Sequence, residues 1–174
     1  MRHLVIISGH SGSGKDYLAA KYWGHFTPLK LNQCFKDRFE QDHGLFPGVC
    51  NNRAYREGIL DQGPCAGLTI QQAMVRCYTE SLSPLEKTYG ASFAGLTLLS
   101  ALETITKTPG QYVITDLRKP SEALVLKEFA TKQLGYKLTV YKIETNRGQV
   151  LESDIHQEEV LDILGDYSIL LNYA

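Results

Sequence analysis

A glycine-rich turn directly after a short apolar run constrains the fold of this chain more than any other feature. The apolar run is Leu4-Val5-Ile6-Ile7, and the turn reads Gly9-His10-Ser11-Gly12-Ser13-Gly14-Lys15. The turn fits the pattern of a phosphate-binding loop, in which a glycine and four arbitrary residues precede Gly-Lys. We expect a buried parallel strand over Arg2–Ser8, a sharp turn, and a helix over Gly14–Trp23. Strand, loop, Gly-Lys and helix in this order indicate a site for a phosphate group.

Each part of this loop has a physical reason. We expect Gly9, Gly12 and Gly14 to allow positive φ and to leave no side chain between the backbone and a phosphate. The successive N–H groups form an anion nest at the positive end of the helix dipole. Lys15 supplies a point charge that reaches β- and γ-phosphates. The alternative, a glycine-rich turn that binds nothing, does not need this lysine.

The residues after the lysine depart from the usual pattern. Ser or Thr normally follows the lysine and holds Mg²⁺, whereas Asp16 and Tyr17 follow it here. We therefore expect Mg²⁺ to be held through water by carboxylates, with Asp16 and Asp116 as the candidate groups.

Length and composition favour one compact domain without a nucleic-acid or membrane partner. The 174 residues, 43% of them hydrophobic, suit a single domain with a full core. The net charge of −1 gives no electrostatic footprint for a nucleic-acid polymer. No apolar run approaches the roughly 20 residues that span a bilayer, and the chain opens directly on a predicted strand without a signal peptide. We therefore expect a cytoplasmic protein.

The cysteines give no recognisable metal motif. Cys34, Cys50, Cys65 and Cys77 are widely spaced and form no CxxC pair. We expect free thiols in a reducing cytosol rather than zinc ligands.

Predicted strands and helices alternate along the chain. Further strands are predicted at Tyr112–Thr115, Lys137–Ile143 and Ser168–Asn172, and Phe26–Leu31 is predicted to be a short strand or an edge segment. Further helices are predicted at Gln33–Gln41, from Thr69 to about Thr79, from Tyr89 to Lys107, and from Ser121 to about Leu134. The alternation indicates the α/β class, with a parallel sheet covered by helices on both faces. In such sheets ligands bind at the carboxyl ends of the strands.

One long connection separates two parts of the predicted domain. Residues Asp42–Gly67 are rich in glycine, proline and asparagine, and the stretch is too long for a tight connection. We expect it to cover a substrate. The single domain of residues 1–174 would then have a core of about 1–41 and 108–174 and an insertion of about 42–107.

Three polar side chains lie at or beyond the ends of predicted strands and are candidate site residues. Lys30 follows Pro28-Leu29, and Asp116 and Arg118 follow the strand Tyr112–Thr115. Asp116 is placed to act on Mg²⁺ through water or to orient an acceptor phosphate, and Arg118 can fork onto phosphate oxygens. The alternatives are a turn-forming aspartate and a solvated arginine and lysine.

Other candidates have weaker support. Arg147 lies in a predicted loop, where it could close over a triphosphate as a lid or could be a surface residue. His10 could touch a phosphate or be incidental. An acidic cluster has metal-ligand residue types, but its mixed spacing favours a solvated helix start; its members are Glu152, Asp154, His156, Glu158 and Glu159.

Several segments together carry a family resemblance. The most specific are Gly-Lys-Asp at 14–16 and Asp-x-Arg-x-Pro-x-Glu at 116–122. The weaker ones are Pro28-Leu29-Lys30, Thr69 at a helix start, Tyr89–Phe93, Asp154–Glu159 and Asp166–Asn172. With gaps, this set covers nearly the whole chain and resembles the deoxynucleoside monophosphate kinases of tailed bacteriophages.

The resemblance implies a three-layer P-loop kinase fold with a nucleoside-monophosphate-binding region and a lid. It implies transfer of the γ-phosphoryl group of ATP to a deoxynucleoside 5′-monophosphate, for phage DNA precursor synthesis in the host cytoplasm. Mg²⁺ would be the metal cofactor, and the family favours a homodimer.

The resemblance also assigns roles by position. On the ATP side it places Gly12, Gly14, Lys15, Asp16, Tyr17 and Leu18, to which the glycine loop itself adds Gly9 and Ser13. Facing the monophosphate it places Ser11, Leu29 and Lys30. It places Asp116 and Arg118 near the transferring group. Together with Lys15, Asp16 and the candidate lid residue Arg147, which is suggested by its loop position, these would be the catalytic groups.

Two positions depart from the family pattern. Tyr17 stands where those kinases usually have threonine, and Gln71 stands where an arginine often follows Thr69 at the helix start. Arg76, further along that helix, is the candidate replacement for the missing arginine. These departures leave two alternatives open: another small-molecule P-loop kinase, resembling phosphomevalonate or dephospho-coenzyme A kinases, and a nucleotide-binding module without turnover.

Overall fold

The computed structural model of the protein describes residues 1–31, 33–77, 101–150 and 154–173. Within these ranges the chain forms a five-stranded sheet with strand order β2-β3-β1-β4-β5, and every neighbouring pair is parallel. The strands are β1 (His3–Ser8), β2 (Thr27–Pro28), β3 (Gln111–Ile114), β4 (Lys137–Thr145) and β5 (Ser168–Asn172). The predicted α/β class with a parallel sheet flanked by helices is confirmed.

Strand β1 is the centre of the sheet, which explains its continuous apolar sequence. It pairs with β3 on one side and β4 on the other, and all four residues from Leu4 to Ile7 are buried. Leu4 and Ile6 pack into one apolar cluster, whereas Val5 and Ile7 pack into another. Successive side chains of a strand point to opposite faces, so a strand covered on both faces needs apolar residues at every position.

Helices supply the cover on each face. The helices are α1 (Lys15–Tyr22), α2 (Gln33–Asp42), α3 (Pro120–Lys127) and α4 (Gln157–Leu164); residues 70–77 and 101–107 are also helical. Leu18 of α1 packs with Val5 and Ile7, whereas Leu126 of α3 and Leu161 of α4 pack with Leu4 and Ile6. The two faces of β1 are therefore covered by different helices.

Several element boundaries differ from the prediction. Helix α3 starts at Pro120, where the missing N–H costs no hydrogen bond, and it widens into a π-helical stretch at Glu128–Gln133. Thr69 caps the helical residues 70–77 as predicted, because its hydroxyl accepts a hydrogen bond from Gln72 N at 3.1 Å. Of the helix predicted from Tyr89 to Lys107, only 101–107 lie within the described residues, and these are helical.

The chain divides into two compact units. The first unit consists of Met1–Leu31 with Ala94–Ala174 and contains the sheet, and the second consists of Asn32–Phe93. The second unit has its own apolar cluster, which includes Phe39, Cys50 and Ala73. The insertion predicted at about 42–107 begins and ends later in the chain than this second unit.

Among the described residues, no helix combines the length and the apolar character needed to cross a membrane.

Candidate phosphate-binding site

The glycine loop, residues 9–14, lies where the topology of the sheet opens a crevice. β1 and β4 are neighbours, but the chain leaves β1 towards the β2 edge and leaves β4 towards the β5 edge. In open parallel sheets the crevice at such a switch point, beyond the carboxyl ends of the strands, is the usual ligand site. The glycine loop follows β1 directly, so it lies at that position.

The loop needs its glycines for two different reasons. Gly12 and Gly14 have φ values of 78° and 93°, as predicted, whereas Gly9 does not have a positive φ, so the prediction is wrong for that residue. Gly9 is required by close packing instead, because a Cβ there would lie 2.6 Å from Ser13 Oγ. A Cβ on Gly14 would collide with Asn172 Nδ2, which donates a 2.8 Å hydrogen bond to Ser13 O. Asn172, at the end of β5, therefore holds the loop in place.

The start of α1 presents main-chain N–H groups at this crevice. Within the described part of the chain, no protein group accepts a hydrogen bond from the N–H of Lys15, Asp16 or Tyr17. These are first-turn donors at the positive end of the helix dipole, where an anion binds favourably.

Lys15 turns back onto its own loop. Its Nζ donates hydrogen bonds to Gly9 O at 2.6 Å and to His10 O at 3.0 Å. Burial lowers the pKa of Lys15 to about 8; repulsion from Arg118 adds to the shift, and attraction to nearby carboxylates, Asp154 first, opposes it. The charged form of a buried ammonium group is stabilised by an anion that binds next to it.

A polar network links α1 to the ends of β2 and β3. Lys30 Nζ lies 2.7 Å from Asp16 Oδ1 and 3.0 Å from Thr115 Oγ1, and the Thr115 hydroxyl donates to the same Asp16 oxygen at 2.6 Å. Partial burial would raise the pKa of Asp16, but the hydrogen bonds from Lys30 and Thr115 outweigh it and hold this pKa below its ordinary value. Asp16 is therefore an ionised carboxylate at neutral pH, and its Oδ1 accepts the hydrogen bonds from Lys30 and Thr115.

Asp116 and Arg118 belong to the same group of charges. Asp116 Oδ1 accepts a 3.1 Å hydrogen bond from Leu31 N, which ties the segment after β3 to the segment after β2. Both Asp116 and Arg118 act electrostatically on the Lys15 ammonium. Five predicted residues are thus gathered at one edge of the sheet: Lys15, Asp16, Lys30, Asp116 and Arg118.

The covering segment, residues 146–150 after β4, packs directly against the glycine loop. Gln149 N donates to Ser11 O at 3.0 Å, and the ring of His10 donates from Nε2 to Arg147 O at 2.7 Å. Gly148 has a φ of 77°, and a Cβ there would collide with the backbone of Ser11 and Gly12. The predicted lid residue Arg147 thus contacts the loop through its main chain, while its side chain is exposed.

Asp154 is the residue that sequence reasoning misjudged most clearly. Its side chain is buried, and its Oδ2 accepts hydrogen bonds from Ser11 N at 3.0 Å and from Ser11 Oγ at 2.9 Å. The expectation of a solvated helix start is therefore wrong for Asp154. No local pattern could have revealed this contact, because the two residues are 143 positions apart.

The other members of that acidic cluster behave as helix-start residues. His156 precedes α4 and lies 3.2 Å from Glu159, and Glu158 forms an ion pair with Lys142 at 2.9 Å. Glu152 lies outside the described residues.

The side chains of the remaining candidate residues are buried, face solvent or belong to the second unit. The side chains of Leu18 and Leu29 are buried in the core, so only their main chains are available to a ligand. Tyr17 is exposed, and its side chain leaves the first turn of α1 towards solvent. Ser13 Oγ is fully buried, and no hydrogen-bond partner lies near it among the described residues. Arg76 is an exposed residue of the second unit.

Comparison of the chain with models of protein families finds no match, and comparison with curated proteins finds none either.

Proposed function

We propose that the protein is an ATP-dependent phosphotransferase that converts a deoxynucleoside 5′-monophosphate into its diphosphate, for phage DNA precursor synthesis. One observation carries the proposal. Lys15, Lys30 and Arg118 lie close to the carboxylates Asp16 and Asp116 at the edge of the sheet where α1 begins, and first-turn N–H groups of α1 have no protein acceptor among the described residues. An enzyme that transfers a phosphoryl group needs this combination, because it acts by positioning the phosphates with fixed hydrogen-bond donors and cations and does little covalent chemistry itself.

The donor triphosphate would bind at α1. The N–H groups of Lys15, Asp16 and Tyr17 are available to its oxygens, and the Lys15 ammonium would exchange the carbonyl oxygens of Gly9 and His10 for phosphate oxygens. The exchange favours the ligand, because a phosphate carries full negative charge whereas a carbonyl oxygen carries only a partial one.

The carboxylates fit a hydrated Mg²⁺ ion. Asp16 is ionised, and among the described residues only its Oδ1 has protein partners, so Oδ2 is available to a metal-bound water. Mg²⁺ prefers oxygen ligands and keeps several of its waters, so a direct ligand at position 17 is not required. Asp16 would hold the ion through water, and Asp116 is the second candidate carboxylate for the same role. The ion would neutralise charge on the phosphates.

The acceptor phosphate would lie between Lys30 and Arg118. These cations offset the repulsion between the acceptor and the donor, both of which are anions. An acceptor oxygen forms the new bond to the γ-phosphorus as the bond from that phosphorus to the β–γ bridging oxygen breaks, leaving ADP. The covering segment would exclude water, which otherwise competes as acceptor.

A second candidate is a nucleotide-binding module without turnover. The contact of Asp154 with Ser11 favours it, because a carboxylate already accepts hydrogen bonds from two donors of the loop, the N–H and the hydroxyl of Ser11. Tyr17, in place of a hydroxyl close to the backbone, points the same way.

The test is an acceptor panel. Purified protein with ATP and Mg²⁺ is incubated separately with dAMP, dGMP, dCMP, dTMP and hydroxymethyl-dCMP, and with phosphomevalonate and dephospho-coenzyme A, and diphosphate or other phosphorylated products are separated by chromatography. We expect phosphorylation of at least one deoxynucleoside monophosphate. Lys15→Ala should lower kcat by about 10²-fold or more while leaving the unfolding transition intact.

Lys21→Ala is the matched control, because Lys21 is an exposed cation of the same helix, and its activity should stay at the wild-type level. ATP binding without transfer to any acceptor would favour the binding module. Transfer only to phosphomevalonate or dephospho-coenzyme A would assign a different small-molecule kinase. Wild-type turnover in Lys15→Ala would remove this lysine from the mechanism.

A further inference from the structure

Three side chains of residue types that commonly bind metals come together from separate elements of the second unit. His43 directly follows α2, Cys65 lies in the turn that precedes residue 70, and Cys77 belongs to the helical residues 70–77. One ring nitrogen of His43 and the two sulfur atoms all lie within 4.8 Å of one another. These groups are far from one another in sequence, so only the fold of this unit brings them into reach.

The separation of the two sulfur atoms suits a metal ion better than a disulfide. Cys65 Sγ and Cys77 Sγ are 3.9 Å apart, and neither cysteine forms a disulfide. Two thiolates on a tetrahedral zinc ion, each about 2.3 Å from it, are separated by about 3.8 Å. A disulfide requires a separation of about 2.05 Å, so the two sulfur atoms would have to approach by almost half of their distance.

The imidazole of His43 is held as a metal-binding histidine usually is. Its Nδ1 lies 3.0 Å from Phe39 O, and because a carbonyl oxygen only accepts, Nδ1 carries the proton. With the proton on Nδ1, the nitrogen that can offer a lone pair to a metal is Nε2. A backbone carbonyl that fixes the second nitrogen is the common support for a histidine ligand. The ring also stacks on Phe39, with the ring centres 4.1 Å apart, which limits its rotation.

We propose that His43, Cys65 and Cys77 bind a zinc ion that stabilises the second unit. Two thiolates and one imidazole are soft and borderline ligands, which favour zinc over magnesium or calcium. Binding converts both thiols into thiolates and releases their two protons, and a water molecule completes the tetrahedron.

The proposed ion would act as a cross-link. The second unit, Asn32–Phe93, is short, and its described part contains turns and two 3₁₀ helices, Val49–Asn51 and Tyr55–Glu57, besides α2 and residues 70–77. Units of this size have small cores and often rely on a metal or a disulfide. A metal held by His43, Cys65 and Cys77 would join α2, the turn and the helical residues 70–77. This inference is independent of the proposed kinase activity.

The full-length protein tests the proposal directly. It is produced with zinc in the medium, purified under reducing conditions, and analysed for metal by mass spectrometry; we expect about one zinc ion per chain. Cys65→Ser and Cys77→Ser should each lower the bound zinc at least roughly fivefold, and His43→Ala should weaken binding. Cys50→Ser is the matched control, because Cys50 is a buried thiol of the same unit outside the three-residue group, and it should keep its zinc.

Two further measurements do not depend on the folding of a variant. Cobalt added to the metal-free wild-type protein should produce the absorption bands of thiolate-bound tetrahedral cobalt. A strong chelator should lower the Tm of the wild-type protein by roughly 5–10 °C, and zinc should restore it.

Less than about one-tenth of a zinc ion per chain after reconstitution, or no thiolate–cobalt band, would overturn the proposal. Equal zinc content in wild type, Cys65→Ser and Cys77→Ser would overturn it as well. Loss of two titratable thiols on mild oxidation, without metal uptake by the reduced protein, would identify Cys65 and Cys77 as a redox pair instead.

Discussion

At the residue scale, the surroundings of Lys15 decide how the site responds to pH. Its pKa of about 8 lies below the ordinary value of 10.5, mainly because the ammonium is buried and secondarily because Arg118 is near. In the ligand-free protein the charge is therefore lost as the pH rises through 8. Between pH 8 and 10.5 the unfolded chain holds this proton and the folded chain does not, so Lys15 makes stability rise with pH in that window.

We predict that ATP affinity falls as the pH rises from 7 to 9. At pH 9 about nine-tenths of the free protein has lost the Lys15 proton, and binding must restore it, so Kd should rise roughly tenfold. Isothermal titration at several pH values measures this change. Lys15→Arg is the control, because a guanidinium keeps its charge throughout this range and should give a flat profile. Parallel profiles for the two proteins would contradict the role given to the Lys15 charge.

Local spacing predicts some of these residues and misses others. Lys15, Lys30 and Asp116 each follow a strand, and the carboxyl edge of a parallel sheet brings such positions together whatever the details of the fold. The partner of Asp154, by contrast, is set by how the chain returns to the glycine loop after β4. The approach of Cys65 to Cys77 depends in the same way on the packing of the second unit.

At the scale of elements, the strongly periodic or buried segments are the ones that the sequence predicts well. The residues of β1 and of β5 match the predicted ranges closely. The sequence of β1 is apolar at successive positions because both faces are buried, and that of β5 is a run of branched side chains. Of Phe26–Leu31, predicted to be a short strand or an edge segment, only Thr27–Pro28 forms a strand. Pro28 has no N–H for a ladder, and β2 is the edge strand, where proline is tolerated but pairing is short.

The contact of the covering segment with the glycine loop gives a prediction about two glycines. Gly148 and Gly135 both have positive φ, 77° and 69°, but a Cβ would collide with the loop backbone at Gly148 and would meet nothing within 4 Å at Gly135. Gly135→Ala should therefore lower the free energy of unfolding by about 1–2 kcal/mol, from backbone strain alone. Gly148→Ala should lower it by roughly 1–3 kcal/mol more, because of the collision.

Urea unfolding of the two variants measures the difference. Gly148→Ala should also weaken ATP binding, whereas Gly135→Ala should leave it unchanged. Equal losses of stability would mean that the covering segment does not pack on the loop in solution.

At the scale of the whole molecule, the two units have separate apolar clusters and different architecture. The first contains the parallel sheet, with β1 covered on both faces, and the second is built in its described part from short helices and turns. The alternation of strands and helices predicted the sheet. It did not predict the strand order, because that order depends on long-range pairing between strands that are distant in the chain.

We predict that the second unit opens without the first. Native-state hydrogen exchange measures the free energy of opening at single amides. The N–H groups of Leu60 and Ile70 donate to Leu68 O and Gly58 O in the second unit. We expect their opening free energy to be about 1–2 kcal/mol lower than that of the amides of β1 and β4. Such a partial opening exposes to water only the apolar cluster of the second unit, which includes Phe39, Cys50 and Ala73. Identical opening free energies for the two sets of amides would show that the chain unfolds as one cooperative body.

The hydrogen bonds of Ser11 have a consequence for any ligand that reaches it. Both of its polar hydrogens are already committed to Asp154, and its carbonyl oxygen to Gln149. An incoming phosphate can engage Ser11 only by substitution, and trading one good acceptor for another yields little net free energy. Ser11 is therefore suited to setting how fast an incoming anion exchanges with Asp154 rather than how tightly that anion is retained.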